Sequence, residues 1–125
     1  MSEIVVHNVH TIPAYEGPHA IDGIRFRPAR QALDVTSWGM NVMEIDAGCT
    51  GYPAHDHNHD QQEEVYVVLK GRAVLHADDV EYPLNEGAIV RVPPQVHRTF
   101  STQDGVTLLA LGGTPGRPYS VTPGM

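Results

Sequence analysis

Three histidines at alternate positions, followed closely by a carboxylate pair, are the residues of this chain best suited to metal chemistry. The segment GYPAHDHNHDQQEEVYVVLKG carries His55, His57 and His59, and then Glu63 and Glu64. In an extended strand, successive side chains point to opposite faces, so residues two apart share a face. All three imidazoles are therefore able to face one interior. Imidazole and carboxylate together form a ligand set for a divalent metal ion.

A strand is predicted directly after the carboxylate pair. Residues 65–69 are rich in β-branched and aromatic side chains, and the run closes at Gly71. Glu64 directly precedes this strand, where its carboxylate can point into the same interior as the histidines. Glu63 is its neighbour and faces the opposite side, which predicts an exposed position.

The spacing within this segment matches that of a known motif. Gly51 is followed after five residues by His57, after one more by His59, after four by Glu64 and after six by Gly71. This order resembles the first motif of the cupin superfamily. In that family two histidines and a glutamate bind a metal inside a small β-barrel, and a later histidine completes the ligand set.

A second segment, GAIVRVPPQVHRTF, is similar to the second cupin motif. Gly87 is followed after five residues by Pro93, and His97 lies near the place of the fourth ligand. The family sets its histidine one residue later, where this chain has Arg98, and Phe100 favours that later register. Because side-chain direction flips with each residue of a strand, the offset decides which residue faces the metal. The double proline could absorb the offset, so both registers stay open.

The choice of histidine pair in the first motif also stays open. Spacing favours His57 and His59. Small bacterial cupins of unassigned function share other features with this chain, and that resemblance favours His55 and His57. The shared features are Trp38-Gly39, Tyr52-Pro53, His55-Asp56-His57 and the run from Gln62 to Val68. His57 belongs to both pairs and is the common prediction.

Composition predicts a single soluble, cytoplasmic domain. The chain has 125 residues, 41% of them hydrophobic, with no long apolar run and no signal-type amino terminus. A formal charge of −7 without a cluster of Lys or Arg argues against nucleic acid or an anionic membrane as a partner. A single cysteine, Cys49, excludes an internal disulfide and fits a reducing compartment.

Ten prolines and twelve glycines divide the sequence into short segments, which predicts an all-β fold of short strands. Periodicity alone does not choose between a sandwich and a barrel. The cupin resemblance covers about residues 38–115 and selects a double-sheet jelly roll, with one domain over residues 1–125. Residues 1–37 would then add strands, and residues 116–125 would form a tail. The predicted strands cover residues 4–9, 24–30, 38–45, 65–69, 72–76, 80–84, 88–92, 96–101 and 106–111.

The resemblance implies a metal-dependent enzyme acting on a small organic molecule, of the dioxygenase, isomerase or cyclase type. Four protein ligands would leave positions open for water or substrate. Sequence does not select the ion, so iron, manganese, nickel, zinc and copper all remain candidates. A sensor or accessory module that binds a metal or small ligand without turnover is the alternative, and a metal-free structural cupin is the third hypothesis.

Three further side chains are candidates for substrate binding. Tyr66 and Phe100 are able to line an apolar pocket, although plain core packing also explains them. Arg98 could hold a carboxylate through a bidentate pair or replace the fourth metal ligand. A homodimer is expected from the resemblance, through sheet faces or an exchanged amino-terminal strand at residues 4–9.

Overall fold

Eight strands in two facing antiparallel sheets form the framework of the chain in this computed structural model, which describes residues 3–120. The larger sheet has the order β1-β2-β8-β3-β6, and the smaller has the order β5-β4-β7. This arrangement confirms the prediction of an all-β, double-sheet jelly roll. The strands are β1 (Ile24–Arg27), β2 (Gly39–Ile45), β3 (Glu63–Gly71), β4 (Ala73–Ala77), β5 (Val80–Leu84), β6 (Ile89–Val92), β7 (Arg98–Ser101) and β8 (Val106–Gly113).

The main hydrophobic core lies between the two sheets. Side chains alternate along each strand, so every second residue points into this space. β8 is the clearest case, because Val106, Leu108 and Ala110 are buried and the residues between them are only partly so. The other buried members come from both sheets: Met43, Ile45, Tyr66, Val68, Ala73, Leu75, Leu84, Val92 and Phe100.

The hairpin between β4 and β5 follows from its turn residues. Asp78 and Asp79 have φ angles of 51° and 62°. Positive φ at both central residues is typical of the type I′ turn, whose twist matches that of the flanking strands. The turn sets Ala77 opposite Val80 and thereby fixes the register of the hairpin.

Gly71 closes the first motif for a steric reason. Its φ angle is 78°, and a Cβ atom built on it would lie 2.2 Å from the carbonyl oxygen of Gly105. No side chain fits at that distance, so β3 can end beside the loop before β8 only if this residue is glycine.

A short helix replaces the end of one predicted strand. The strand predicted for residues 24–30 stops at Arg27, and helix α1 (Ala29–Leu33) follows Pro28. The reason is local, since proline supplies a fixed φ and the residues ARQAL are good helix formers. Asp34 ends the helix in the left-handed conformation.

The helix packs on the outer face of the larger sheet. Ala29 and Ile12 are buried against Val42 of β2. β2 is therefore covered on both faces, because Met43 and Ile45 face the other sheet and Val42 faces α1. Neither α1 nor the 3₁₀ helix over Val9–Thr11 is long or apolar enough to span a membrane, and the described part of the chain has no other helix.

The amino-terminal strand predicted for residues 4–9 is not formed within residues 3–120. Residues 4–8 have no strand partner among the described residues, and Val9–Thr11 is a 3₁₀ helix capped by Asn8. The apolar side chains of this segment are therefore exposed, with Ile4 at 95% and Val6 at 83%. Of the tail predicted for residues 116–125, residues 121–125 lie outside the described part of the chain.

Replacing Arg27 with methionine is expected to cost about 2 kcal/mol of unfolding free energy near neutral pH. Arg27 Nε lies 2.7 Å from Glu44 Oε1, and its Nη1 lies 2.6 Å from the carbonyl oxygen of Ile12. Burial opposes the ionisation of Glu44. The charges and hydrogen bonds of Arg27 and Arg25 outweigh that effect, so the pKa of Glu44 is lowered.

The sign of this pKa shift predicts how the loss depends on pH. A lowered native-state pKa stabilises the fold above the unfolded-state pKa, and that stabilisation is lost as pH falls through the native-state value. Urea unfolding of parent and variant should therefore differ less at about pH 3 than at about pH 7. Arg72→Met is the control, because its pair with Asp104 is exposed and should contribute less than about 1 kcal/mol. Equal losses in both variants, or a loss independent of pH, would contradict the prediction.

Candidate metal centre

Two histidines and one glutamate converge at one end of the space between the sheets. Ligand atoms of His55, His57 and Glu64 all lie within 4.8 Å of one another. Glu64 is the second residue of β3, and the histidines lie on the loop that precedes this strand. The backbone N–H of His57 donates to the carbonyl oxygen of Pro94 at 2.8 Å, which holds the loop against the segment before β7.

The register of the second motif is decided by a backbone bridge. His55 and Arg98 exchange hydrogen bonds, with N···O distances of 3.0 and 2.9 Å. Residues directly opposite each other in an antiparallel pair send their side chains to the same side. Arg98 therefore points inward beside His55.

His97 is one residue away from Arg98 and points outward. Its side chain is 64% exposed, and its nearest charged partner is Asp56, at 3.9 Å. The structure does not bring His97 to the cluster, and Arg98 takes the inward position instead. The one-residue offset in the sequence is therefore retained in the fold, because the double proline does not shift the register of β7.

His59 also lies apart from the glutamate. Residues 58–60 form a turn rather than a strand, and the N–H of Gln61 donates to the carbonyl oxygen of His57 at 2.7 Å. The rule that residues two apart share a face fails once the chain turns. The His59 side chain is 60% exposed, and its ring stacks on that of His57 with centroids 5.9 Å apart. His57, His59 and Asp60 do form a second group of close ligand atoms nearer the surface.

Both inward imidazoles are oriented by an oxygen behind the ring. His55 Nδ1 lies 2.9 Å from the carbonyl oxygen of Pro53, and His57 Nδ1 lies 2.9 Å from Asp60 Oδ1. Because these oxygens accept hydrogen bonds, each Nδ1 is a donor, and the Nε2 of the neutral ring carries the lone pair. The two Nε2 atoms face Glu64 Oε1, at 3.7 Å from His55 and 3.1 Å from His57. Metal-binding histidines are held in the same way in known metal sites.

The Nε2 atom of His57 is buried and has no hydrogen-bond partner within residues 3–120. A lone pair facing a carboxylate is unfavourable unless a proton or a metal cation lies between them. Interaction with Glu64 is the largest effect on this ring and raises the pKa of His57, while burial opposes it. The donor set and its orientation therefore fit a divalent ion.

Arg98 already supplies one positive charge to the glutamate. Its side chain is fully buried, and Nη2 donates to Glu64 Oε1 while Nη1 donates to the carbonyl oxygen of Val96 at 2.9 Å. Tyr66 donates its hydroxyl to the same Glu64 oxygen at 2.6 Å. Burial opposes ionisation of Glu64, but contacts with His55, His57 and Tyr66 outweigh it and hold the pKa of this carboxyl well below its usual range.

Tyr66 and Phe100 form an aromatic layer beneath Glu64. The Phe100 ring meets Tyr66 edge-on at 4.8 Å between centroids, and it meets Tyr52 edge-on at 5.2 Å. Tyr66 is 1% exposed and Phe100 is 3% exposed. Burial raises the pKa of Tyr52 to about 12, so its phenol stays neutral. The structure therefore places both predicted substrate-binding aromatics in the core, where Tyr66 contacts Glu64 and Phe100 packs on Tyr66.

A small cavity lies beside His57 and Glu64, between β2 and β8. Its volume is about 30 Å³, which is room for about one water molecule. Gly39 and Gly112 are paired across the two strands and leave this space open. The other lining residues are Asn41, Gln62, Ala110 and Tyr119.

Sequence reasoning missed the polar residues around the cavity. Asp60 follows His57 by three residues, which is a usable signal once a turn is expected there. Asn41, Gln62 and Tyr119 come from three separate segments and meet only in the folded chain. No local spacing could have indicated them.

Comparison with known proteins agrees with the fold. A cupin sugar phosphate isomerase from Silicibacter pomeroyi superposes with a TM-score of 0.71 at 19% identity, over 92% of this chain and 81% of that chain. An RmlC-like cupin from Shewanella frigidimarina superposes with a TM-score of 0.68 at 18% identity, over 93% of this chain and 94% of that chain. A predicted oxalate decarboxylase from Thermotoga maritima superposes with a TM-score of 0.65 at 16% identity, over 86% of this chain and 97% of that chain. A search of curated proteins finds no significant match.

These structural likenesses establish a shared fold, and the proteins named differ in their chemistry. The family model for the cupin domain matches residues 41–111, which include both motifs and most of the strands. The match spans more than half of the chain and agrees with the jelly roll and with the resemblance of the motifs. This chain belongs to the cupin family.

Proposed function

We propose that this chain is a metal-dependent enzyme that acts on a small organic molecule, with the ion held by His55, His57 and Glu64. The observation that carries the proposal is the orientation of the two imidazoles. Each has its Nδ1 bound to an oxygen, so that both Nε2 atoms point at one carboxylate. Two histidines and one carboxylate are a known ligand set for catalytic metals with open positions.

When bound, a divalent ion would polarise a substrate carbonyl or lower the pKa of a bound water. The residues around it have separate tasks. Asp60 and the carbonyl of Pro53 orient the two imidazoles, and Arg98 and Tyr66 hold the Glu64 carboxylate in place. Asn41 and Gln62 line the cavity, and an amide side chain is suited to orienting the hydroxyl or carbonyl groups of a substrate.

The position of Arg98 favours a second candidate, a non-catalytic cupin that binds a small ligand. The guanidinium stands where the resemblance implies a fourth metal ligand, and its charge already compensates Glu64. In this reading Arg98 serves as the permanent cation of the site.

Metal analysis of untagged protein by plasma mass spectrometry distinguishes the two candidates. The parent should contain about one first-row metal ion per chain, and His57→Ala and His55→Ala should lose it, because each removes one of three protein ligands. The matched controls are His97→Ala and His59→Ala, which should retain the ion because both side chains point away from Glu64.

Two results would contradict the proposed metal site. Absence of metal in the parent after reconstitution would favour the non-catalytic module, and retention of metal by His57→Ala would place the ion elsewhere. If the parent holds the ion, screens for oxygen uptake and isomerase activity would then separate turnover from binding. The identity of the ion, among iron, manganese, nickel, zinc and copper, would come from the same analysis.

Assembly and location remain predictions. The exposed apolar residues of the amino-terminal segment support a homodimer in which this segment pairs with a second copy, and the mass of the protein in solution would decide this. A cytoplasmic location rests on the composition and the single cysteine.

A further inference from the structure

The segment after β8 crosses the metal site. Thr114 donates its hydroxyl to the carbonyl oxygen of Asp60 at 2.9 Å, which fastens the start of the segment to the histidine loop. The N–H of Arg117 then donates to the carbonyl oxygen of Thr114 at 3.2 Å, and Gly116 has a φ angle of 72°. This turn reverses the chain and brings Tyr119 back towards β2.

The Tyr119 ring is seated on Gly39. A Cβ atom built on Gly39 would lie 2.8 Å from both Cε1 and the hydroxyl oxygen of Tyr119, and 2.9 Å from Cζ. Atoms do not pack this closely, so the ring can lie here only because residue 39 has no side chain. On another side, Arg30 of α1 places its guanidinium carbon 5.6 Å from the ring centroid, a cation–π contact.

The same ring forms part of the wall of the cavity that His57 and Glu64 line. Burial is the largest effect on its phenol and raises the pKa of Tyr119. Arg30 opposes the rise, and Glu64 and Asp60 add to it. The influence of Glu64 agrees with a ring placed close to the metal ligands.

With the ring in this position, the cavity of about 30 Å³ is too small for an organic ligand. β2 and β8 are joined by a continuous ladder of backbone hydrogen bonds, so the walls they provide are rigid. Tyr119 is half-buried, but it belongs to an otherwise exposed segment outside the sheets. It is therefore the part of the wall that can move without breaking a strand pair.

We propose that Tyr119 determines ligand specificity in this cupin: its phenol covers the metal cavity, and its displacement from Gly39 sets the size of the ligand admitted. The proposal rests on the proposed function in taking the cavity as the ligand site. It predicts that the parent admits small molecules bearing hydroxyl or carbonyl groups and rejects larger ones. The cover itself is a property of the metal-free chain and can be tested without an ion.

The first test measures how fast diethyl pyrocarbonate modifies each histidine of the metal-free protein, read by peptide mass spectrometry. His57 is buried in the parent, whereas the side chain of His97 is exposed and serves as an internal reference. Tyr119→Ala should raise the rate at His57 relative to His97 at least tenfold, because the cover is removed. Tyr119→Phe keeps the ring and should behave like the parent.

Gly39→Ala tests independently whether the contact between Gly39 and the Tyr119 ring holds the ring in place. The added methyl group should displace Tyr119 and also expose His57, and it should add nothing in the Tyr119→Ala background. If the modification rate of His57 relative to that of His97 were the same in Tyr119→Ala as in the parent, the proposal would be overturned. An increase of the same size in Tyr119→Phe would also overturn it, because the hydroxyl and not the ring would then protect His57. If Gly39→Ala fails to fold, the two Tyr119 variants still decide the question.

The second test addresses ligand size in protein loaded with Co²⁺, using visible absorption to follow the binding of imidazole and of the larger benzimidazole. Tyr119→Ala should bind benzimidazole at least tenfold more tightly than the parent, with little change for imidazole. If parent and variant showed the same ratio of affinities for benzimidazole and imidazole, Tyr119 would have no role in ligand specificity. Failure of the parent to bind Co²⁺ would count against the proposed metal site alone, since the modification experiment needs no metal.

Discussion

Glu64→Gln is expected to lower the free energy of unfolding of the metal-free protein by about 3–5 kcal/mol, because it leaves a buried charge without its partner. Arg98 has no exposed side-chain surface, and Glu64 is the carboxylate that neutralises it. Glutamine has nearly the same shape and still offers an oxygen to Tyr66 and Arg98. The loss is therefore one of charge, and urea unfolding in the presence of a chelator would measure it.

The neighbouring carboxylate provides a matched control. Glu63 is on the opposite face of β3, where it pairs with Arg91, and the two side chains are 39% and 57% exposed. Surface ion pairs of this kind contribute about 1 kcal/mol or less, so Glu63→Gln should change stability little. Similar losses in the two variants would show that the Glu64–Arg98 pair is not the buried interaction described above.

Arg98→Met is expected to make the stability of this protein depend strongly on metal. Without metal, Glu64 would keep Tyr66 and the histidines but lose its buried cation, at a cost of about 3–5 kcal/mol. A divalent ion bound by His55, His57 and Glu64 would then take over the role of the lost guanidinium at the carboxylate. An ion present at 100 times its dissociation constant would restore about 2.7 kcal/mol.

Thermal and urea unfolding with and without added Zn²⁺ or Mn²⁺ would measure this effect. The increase in stability on adding metal should be larger in Arg98→Met than in the parent, where the guanidinium shares the carboxylate. Arg91→Met is the control, since it removes an exposed arginine from the next strand of the sheet. If metal stabilises Arg98→Met no more than it stabilises the parent, the guanidinium does not compete with an ion at Glu64. That result would support the non-catalytic, ligand-binding cupin.

Arg98 is the feature that distinguishes this site from the ligand set that the cupin resemblance implies. An arginine cannot bind a metal, because it keeps its proton at any physiological pH. At the proposed site, the described residues would therefore supply three protein ligands rather than four, with a fixed cation beside the third. Such a site should bind an ion more weakly than a site with four protein ligands. It would also leave more open positions for water or a ligand.

Local patterns were sufficient for the strands and for the core of the first motif. β5 was predicted with the boundaries observed, residues 80–84. Glu63 and Glu64 were assigned to opposite faces of β3, because alternation along a strand needs no information from the rest of the chain. The convergence of His57 and Glu64 followed from motif spacing.

Local patterns failed where the chain left a strand. Alternation predicts that His59 shares the face of His57, but a turn at residues 58–60 ends that regularity. The pattern over residues 24–30 predicts one strand, but a helix begins at Ala29, directly after Pro28. Both rules hold only while the backbone stays extended.

By itself, the sequence determined the family, the all-β architecture and the presence of a histidine and carboxylate cluster, because each depends on residues close together in the chain. Only the tertiary structure decided which side chains complete the cluster. The His55–Arg98 bridge joins residues 43 positions apart and turns Arg98 inward and His97 outward. Tyr119 reaches Gly39 from the far end of the chain. Contacts of this kind depend on how strands pair and loops cross in space, and local periodicity carries no record of them.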